Sequence, residues 1–272
     1  MSSAYIYQIF YSEQTRSTLD KGFIPLDNIG QRPDWREYWP IRNFLLNNAL
    51  DDETFYGFLS PKFAAKTNLE ASDVSAFLAA VPESTDVVSF SPFFDAGALF
   101  TNVFLQGAQG HPNAWGPFEE LVRLIKPDVE LSTLVMDSSN SVYCNYFVAK
   151  PRFWRHWLSL AETIFAIAEA NGTPLAFALN AAARHAQGDT PVKTFLIERL
   201  VSLILATEKH WQVASFNPLQ LPLVYPGATQ VAQELVMLDA LKRAAVGSGR
   251  AEYMTVWSQL RERVVASMAA AR

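Results

Sequence analysis

The sequence predicts an α/β fold followed by a helical extension at the carboxyl end. Half of the 272 residues are hydrophobic, so the chain can bury a sizeable core. Through the first two thirds, short apolar segments rich in aromatic and β-branched residues alternate with segments of helical periodicity, which is typical of a sheet flanked by helices. The last third is helical in pattern almost throughout. We therefore expect an α/β domain over residues 1–215 and a helical extension over residues 216–272.

The predicted strands are short apolar segments bounded by turn-forming residues. They cover residues 5–11, 54–60, 86–90 and 143–150. Between the first two, residues 22–33 carry Gly, Pro, Asp and Asn in a pattern that predicts turns.

The predicted helices have apolar residues three and four positions apart. Pro40 is expected to mark a kink or a restart, Ser72 to cap a helix, and Pro151 to occupy a first helical turn. The helices are predicted at residues 35–50, 72–81, 98–106, 117–125, 152–170, 175–187, 194–207, 230–245 and 251–270.

Charge and composition narrow the class of function. The net charge is −5 and no basic run is present, which argues against nucleic acid as the main ligand. The single cysteine, Cys144, excludes an internal disulfide and suits a reducing compartment. The first residues resemble no signal peptide, and no apolar stretch reaches the roughly 18 residues of a spanning helix. We expect a cytoplasmic protein. Peripheral contact with the inner face of a membrane stays open, because charged residues make up only 18%.

Familiar catalytic motifs are missing. The sequence has no P-loop, no Gly-x-Gly-x-x-Gly and no Gly-x-Ser-x-Gly, so kinase, Rossmann dehydrogenase and α/β-hydrolase functions lose support. The histidines are widely spaced and form no metal-binding pattern; they are His111, His156, His185 and His210.

Four segments together resemble a family of capsular-polysaccharide glycosyltransferase-like proteins, known mostly as a domain of unknown function. They are LDNIGQ with EYWPIRN at residues 26–31 and 37–43, FYGFLSPKF at 55–63, SVYCNYFVAKPRFWRHWLSLAETIF at 141–165, and FLIERLVSLIL at 195–205. The chain departs from the family where Ser60-Pro61-Lys62-Phe63 replaces a His-Tyr-Arg-Arg element. It departs again where Ile197 replaces a serine before Glu198.

The resemblance implies a GT-A-like fold that binds a nucleotide-sugar. Its expected activity is sugar transfer from that donor to a glycan or a lipid-linked acceptor, in the biosynthesis of a bacterial cell-surface polysaccharide such as a capsule. Two alternatives stay open: a non-catalytic module that binds a glycan or nucleotide within an assembly complex, and a mainly helical interaction protein. The oligomeric state is not predicted.

The donor diphosphate needs a cation. GT-A enzymes usually supply Mn or Mg on an Asp-x-Asp motif, and no convincing one is present. Ser60, Lys62 and Lys66 follow the second predicted strand, and lysine can neutralise a diphosphate without a metal. The alternative is that both lysines lie on a solvated loop. A metal bound through Asp95 or Asp137 also stays open.

Polar residues near the first strand are candidates for holding the nucleotide. Asp27 and Asn28 are expected at the carboxyl edge of the sheet, where α/β folds bind ligands. They could bond ribose or a base, or merely form an Asx-turn with their own backbone. Arg32 could reach phosphate or simply be solvated.

Glu198 is our candidate for the general base that deprotonates an acceptor hydroxyl. Its apolar neighbours would bury it and raise its pKa; the alternative is a structural pair with Arg199, which is also a candidate substrate contact. Asp137 and Asp95 are further candidate bases. Asn145, expected within the fourth strand, is a candidate substrate contact: if buried it must find a polar partner, which could be a substrate hydroxyl or a neighbouring backbone group. The Gly- and Pro-rich loop of residues 106–115 could cover an acceptor.

Overall fold

The computed structural model describes residues 3–170, 172–183 and 190–270 and contains a mixed six-stranded sheet. The strands are β1 (Ala4–Phe10), β2 (Ile24–Asp27), β3 (Phe55–Leu59), β4 (Val87–Ser89), β5 (Phe147–Ala149) and β6 (Val213–Ser215). Their order is β2-β1-β3-β5-β4-β6. Strand β5 runs antiparallel to β3 and β4, and the other pairs are parallel. The predicted α/β class is confirmed, and a mainly helical protein does not fit this sheet.

Helices cover both faces of the sheet. They are α1 (Glu13–Ser17), α2 (Tyr38–Asn47), α3 (Phe63–Thr67), α4 (Ala71–Ala80), α5 (Phe94–Leu99), α6 (Val103–Gly110), α7 (Trp115–Ile125), α8 (Pro151–Glu169), α9 (Pro174–Asn180), α10 (Val192–Thr207), α11 (Ala232–Ser248) and α12 (Glu252–Ala270). Short 3-10 turns lie at Pro112–Ala114, Pro218–Gln220 and Ala228–Val231. None of the described helices is both long and apolar enough to cross a bilayer.

The central strand β3 shows how the two layers form. All five of its residues are buried. Tyr56 and Phe58 point into a large core shared with helices such as α7, α8 and α10, whereas Phe55 and Leu59 point into a second core under α3 and α4. Alternate residues of a strand face opposite sides, so a continuous apolar run is what a strand covered on both faces requires.

Several predicted elements need correction. The turn pattern at residues 22–33 contains β2, a mostly exposed strand whose Pro and Asp masked its extended conformation. The fourth strand begins only at Phe147, because Cys144 and Asn145 have positive φ angles of 62° and 55°. Asn145 therefore precedes the strand instead of lying within it.

Helix boundaries also differ from the sequence pattern. The predicted helix 98–106 is two helices, because Asn102 accepts hydrogen bonds from the backbone N–H groups of Phe104 and Leu105 and starts α6 afresh. Pro40 lies in the first turn of α2 and causes no kink, and α4 begins at Ala71, ahead of the predicted cap Ser72. The predicted helix 175–187 ends at Asn180 as α9; the rest of that prediction, with His185, reaches beyond the described residues.

The C-terminal helices pack on the segment that follows β4. Helices α11 and α12 share a core with Phe94, Ala98 and Leu99 of α5. The indole N–H of Trp257 donates to the carbonyl oxygen of Ala98 at 3.1 Å. Residues beyond 215 are thus joined to the sheet through α5, and the predicted division at residue 215 stays a prediction.

A fully buried lysine in this region predicts an unusual pH dependence of stability. Lys242 of α11 donates hydrogen bonds to the carbonyl oxygens of Gly97 and Phe100. Burial lowers its pKa from 10.5 to about 8, against the opposing effect of Asp239 and Asp137. Between those two pH values the unfolded chain holds a proton that the folded protein has lost. The stability contributed by this group therefore rises with pH across that window.

We expect the free energy of unfolding of the wild type, minus that of Lys242→Met, to rise by about 2 kcal/mol between about pH 7 and 9.5. Urea unfolding at a series of pH values measures this difference, in which the contributions of other titrating groups cancel. A difference that stays constant with pH would show that the folded protein keeps the lysine protonated.

Candidate functional site

Polar side chains collect at one edge of the sheet, where five strands end and β5 begins. Strands β2 and β3 lie on opposite sides of β1, so the chain reverses its direction of winding between β1 and β3. A reversal of this kind opens a crevice at the carboxyl ends of the strands, and α/β proteins bind ligands there. Tyr11 directly follows β1 and Ser60 directly follows β3, so these two residues flank the crevice.

We call the polar group at this crevice the edge cluster. Within it, the Lys66 ammonium lies 3.1 Å from the Cys144 sulfur and 6.0 Å from the ring centre of Tyr146. The hydroxyls of Tyr146 and Ser60 are 2.9 Å apart. Charges at Glu37 and Glu198 act on the same side chains. The edge cluster consists of Tyr11, Glu37, Ser60, Lys66, Cys144, Tyr146 and Glu198.

Glu198 combines solvent access with an environment that disfavours its charge. Its side chain is 32% exposed, so it is partly accessible to solvent. Even so, burial within the protein raises its pKa, and the nearby Glu37 adds to this, while Arg199 and Lys66 oppose it. A partly accessible carboxylate with a raised pKa has the properties of a general base.

Arg199 fills a structural position beside it. Its guanidinium donates to the carbonyl oxygens of Val103 and Phe195 at 2.9 and 2.7 Å and to Gln106 Oε1 at 3.4 Å. It lies so close under Gly107 that a Cβ there would be 2.4 Å from Nη2. The contact with Glu198 is longer, at 3.9 Å. The bonds to Val103 and Gln106 tie α10 to α6, and together the three bonds occupy three of the five N–H donors of the guanidinium.

The two candidate lysines differ in position. Lys62 is exposed on the loop after β3, as the solvated alternative expects. Lys66 is half-buried in the edge cluster. Desolvation lowers the pKa of Lys66, but Cys144, Glu198 and Glu37 outweigh this and raise it. Burial raises the pKa of Cys144 to about 11, so at neutral pH the contact joins a lysine cation to a protonated thiol.

The backbone before β5 is held in a conformation that is unfavourable for its residues. Cys144 and Asn145 both have left-handed φ angles, and neither is glycine. Each such residue costs about 1–3 kcal/mol and persists where the surrounding structure enforces it, often at binding sites. This left-handed backbone conformation directs the Cys144 sulfur towards Lys66. Asn145 is only 4% exposed, and its Oδ1 lacks a hydrogen-bond partner within the described part of the chain.

Asn28 is also buried without a partner. It is 2% exposed, and neither polar atom of its side chain is hydrogen-bonded to any described residue. The Tyr11 hydroxyl is buried too, and burial together with the neighbouring Glu37 raises its pKa. An unpaired buried polar group costs about 1–3 kcal/mol, which a ligand offering a partner recovers. Asp27 instead accepts from the Ile29 N–H at 2.8 Å, the Asx-turn of the alternative.

The other two candidate bases have structural contacts. The Asp95 carboxylate is fully buried and accepts from the backbone N–H groups of Val224 and Tyr225 at 3.0 and 2.6 Å. Asp137 accepts from the N–H and hydroxyl of Ser139 at 2.8 and 2.5 Å. Asp95 thus holds a loop in place through both carboxylate oxygens, whereas Asp137 accepts through Oδ1 alone, and its role as a base stays a prediction.

Arg32 belongs to an ion network away from the edge cluster. It donates to both carboxylate oxygens of Asp34 at 2.9 Å and to Glu169 at 2.6 Å. Lys193, which is 1% exposed, donates to the same Asp34 at 2.7 Å. The network ties the loop after β2 to α8 and α10, and Arg32 has its charge neutralised there.

The residues at the crevice do not fit a divalent metal. Across residues 3–170, 172–183 and 190–270, no three His, Cys, Asp or Glu side chains are grouped so that they could hold one. Asp27 and Asp95, two acidic residues that follow or end strands, are engaged by backbone N–H groups. We therefore assign no step to a metal ion.

Sequence reasoning missed Tyr11, Glu37 and Tyr146. Tyr11 and Tyr146 were counted within apolar strands, and Glu37 at the start of a helix. The only sequence signal for such residues is a polar side chain at the end of a predicted strand, and many surface residues share that feature.

No family model, curated protein sequence or solved structure matches this chain.

Proposed function

We propose that this chain is a glycosyltransferase with a GT-A-like sheet, moving a sugar from a nucleotide-sugar to a glycan or lipid-linked acceptor. The observation that carries the proposal is the edge cluster: a cation, a carboxylate of raised pKa and unpaired buried polar groups at the reversal point of an α/β sheet. The sequence resemblance supports a role in cell-surface polysaccharide biosynthesis.

Each group has a role in the reaction. Asn28, whose polar side-chain atoms lack described protein partners, would bond the base or ribose of the donor together with the Tyr11 hydroxyl. Glu198 would take the proton from the acceptor hydroxyl as its oxygen bonds to the anomeric carbon. The bond from that carbon to the diphosphate breaks, and its electron pair leaves with the diphosphate. Lys66 would stabilise the charge that develops there, in the place of a metal.

A non-catalytic module that binds a nucleotide or glycan remains the second candidate. The missing Asp-x-Asp motif favours it. Such a module would use Asn28, Tyr11 and Lys66 in the same way but would make no use of the raised pKa of Glu198.

Nucleotide binding tests the assignment of Lys66. We expect one of UDP, GDP, CMP or dTDP to raise the melting temperature without added metal, because a ligand that binds only the folded state stabilises it. The Lys66→Met variant should lose this shift, because the half-buried cation is gone. Differential scanning fluorimetry with nucleotide far above its dissociation constant measures it.

Lys62→Met is the matched control, since Lys62 is exposed and lies four residues before Lys66 in the sequence. It should keep the shift. If no nucleotide stabilises the protein with or without manganese, the transferase proposal fails. An unchanged shift in Lys66→Met would remove Lys66 from the donor site.

A further inference from the structure

Arg261 of α12 carries a charge that no carboxylate among the described residues neutralises. Its Nε donates to the carbonyl oxygen of Leu99. Its guanidinium packs over the rings of Phe100 and Trp257, at 5.5 and 5.8 Å from their centres. None of the ion pairs in the part of the chain that the structure describes includes it. Because a guanidinium has five N–H donors, four remain beyond the bond to Leu99.

Two other half-buried arginines of the fold have carboxylate partners. Arg32 pairs with Asp34 at 2.9 Å, and Arg42 pairs with Glu162 at 2.6 Å. Arg261 is half-buried as they are, but its contacts are a carbonyl oxygen and aromatic rings. A carboxylate from outside the chain would complete the pairing that the protein itself supplies to the other two.

The unpaired charge lies in the wall of an apolar cavity. The cavity has a volume of about 300 Å³ and lies beside the second half of α12. Its walls are mainly apolar, with Leu99, Phe100, Met268 and Ala269 among the lining residues. Val265, which also lines the cavity, is 42% exposed, so this end is open to solvent. The site therefore offers a cation at an open end and apolar surface next to it.

A second cavity extends the apolar surface. It has a volume of about 460 Å³, and Gln109 and Tyr225 line both cavities. Phe93, Ala96 and Val224 are among its other lining residues. A hydrocarbon chain that enters beside the cation thus has further apolar surface to cover beyond Tyr225.

The charge of the lining limits the head group of the ligand. Arg261 is the one charged residue among the described residues that line the two cavities, so a single negative charge matches it. A carboxylate has that charge, and its two oxygens fit the planar fork of a guanidinium. A phosphate monoester carries about −1.5 to −2 at neutral pH, which one arginine does not balance. The lining therefore favours a carboxylate at the end of an apolar chain.

We propose that Arg261 and the adjoining cavities bind a fatty acid, with its carboxylate on the guanidinium and its hydrocarbon chain against Leu99, Phe100 and Met268. The inference does not depend on the proposed function, because none of these residues belongs to the edge cluster. A ligand in this place would contact both α12 and the end of α5. It would therefore stabilise the packing of the C-terminal helices on the rest of the fold.

Saturated fatty acids from hexanoate to dodecanoate, each below its critical micelle concentration, test the place of the chain. Isothermal titration calorimetry should show affinity rising about threefold to fourfold for each added methylene until the cavities are filled, as expected for burial of a CH₂ group. An affinity that does not change with chain length would overturn the inference.

Comparing octanoate with octanol tests the head group, since the two share a chain length and differ in charge. The wild type should bind octanoate at least about tenfold more tightly, the usual effect of a hydrogen bond to a charged group. In Arg261→Met the two ligands should bind about equally, because methionine keeps an apolar contact with the rings but has no charge.

Arg263→Met is the matched control, since Arg263 is an exposed arginine of the same helix outside the lining. It should keep the preference for octanoate. The comparison in the wild type needs no variant, so the inference stays testable if Arg261→Met does not fold. A wild type that binds octanol as tightly as octanoate, or a folded Arg261→Met that keeps the preference, would show that Arg261 holds no carboxylate.

Nucleotide-induced melting shifts separate this inference from the proposed function. Arg261→Met should keep the shift, because it leaves the edge cluster unchanged. Nucleotide binding without fatty acid binding would overturn the fatty acid site alone. Fatty acid binding without nucleotide binding would support the site and remove the transferase assignment.

Discussion

Replacing Glu198 by glutamine is expected to lower kcat for sugar transfer by a factor of about 10²–10⁴, the usual contribution of a general base. Glutamine keeps the size of the side chain but cannot accept the proton of the acceptor hydroxyl. Nucleotide binding should be retained, because the donor contacts assigned to Asn28, Tyr11 and Lys66 are untouched. Transfer from the nucleotide-sugar whose nucleotide binds, to a saccharide acceptor, provides the assay.

The pH profile is a second measure of the same group. Burial raises the pKa of Glu198 above its usual 4.5, and a general base works only when deprotonated. The wild-type rate should therefore rise with pH through a value above 4.5, and the residual rate of Glu198→Gln should lack that limb. A variant that transfers at the wild-type rate would assign Glu198 to structure.

Replacing Asp95 by alanine is expected to lower the free energy of unfolding by about 2–5 kcal/mol. The carboxylate accepts from two backbone N–H groups in the loop at Val224 and Tyr225, and each buried donor left unpaired costs about 1–3 kcal/mol. The loop joins the sheet to the C-terminal helices, so the loss should appear as a lower midpoint in urea unfolding.

Asp27→Ala is the matched control for that measurement. Its carboxylate also accepts from a backbone N–H, but the residue is exposed, so the expected change is below about 1 kcal/mol. If Asp95→Ala were as stable as the wild type yet inactive, the original hypothesis of a catalytic role for Asp95 would be restored.

The sequence predicted strongly patterned elements better than conformations set by tertiary contacts. Strand β3 was predictable because five consecutive apolar residues suit a strand buried on both faces, and α8 because Pro151 and helical periodicity agree. The left-handed pair Cys144 and Asn145 was not predictable, since neither residue is glycine and the surrounding protein imposes the conformation.

The residues of the candidate site likewise divide into those that the sequence could identify and those that it could not. Glu198, Lys66, Asn28 and Asn145 were identified from residue type and position. Asn28 and Asn145 are buried, Glu198 and Lys66 are half-buried, and the roles suggested for all four stay predictions. Whether a carboxylate is free to accept a proton depends on hydrogen bonds from backbone groups that are distant in the sequence. The loop that engages Asp95 is more than a hundred residues away in the chain, so no local pattern distinguished it from Glu198.

The left-handed pair before β5 has a consequence for protein engineering. Glycine at position 145 would relieve the backbone and remove an unsatisfied amide at once, so a search for thermostable variants would select it early. The same substitution would delete the Asn145 side chain, whose Oδ1 has no hydrogen-bond partner among the described residues. On the proposed function, tolerance to heat and recognition of the ligand are thus opposed at Asn145, and a library sorted by thermostability alone would be driven towards proteins that bind the ligand less well.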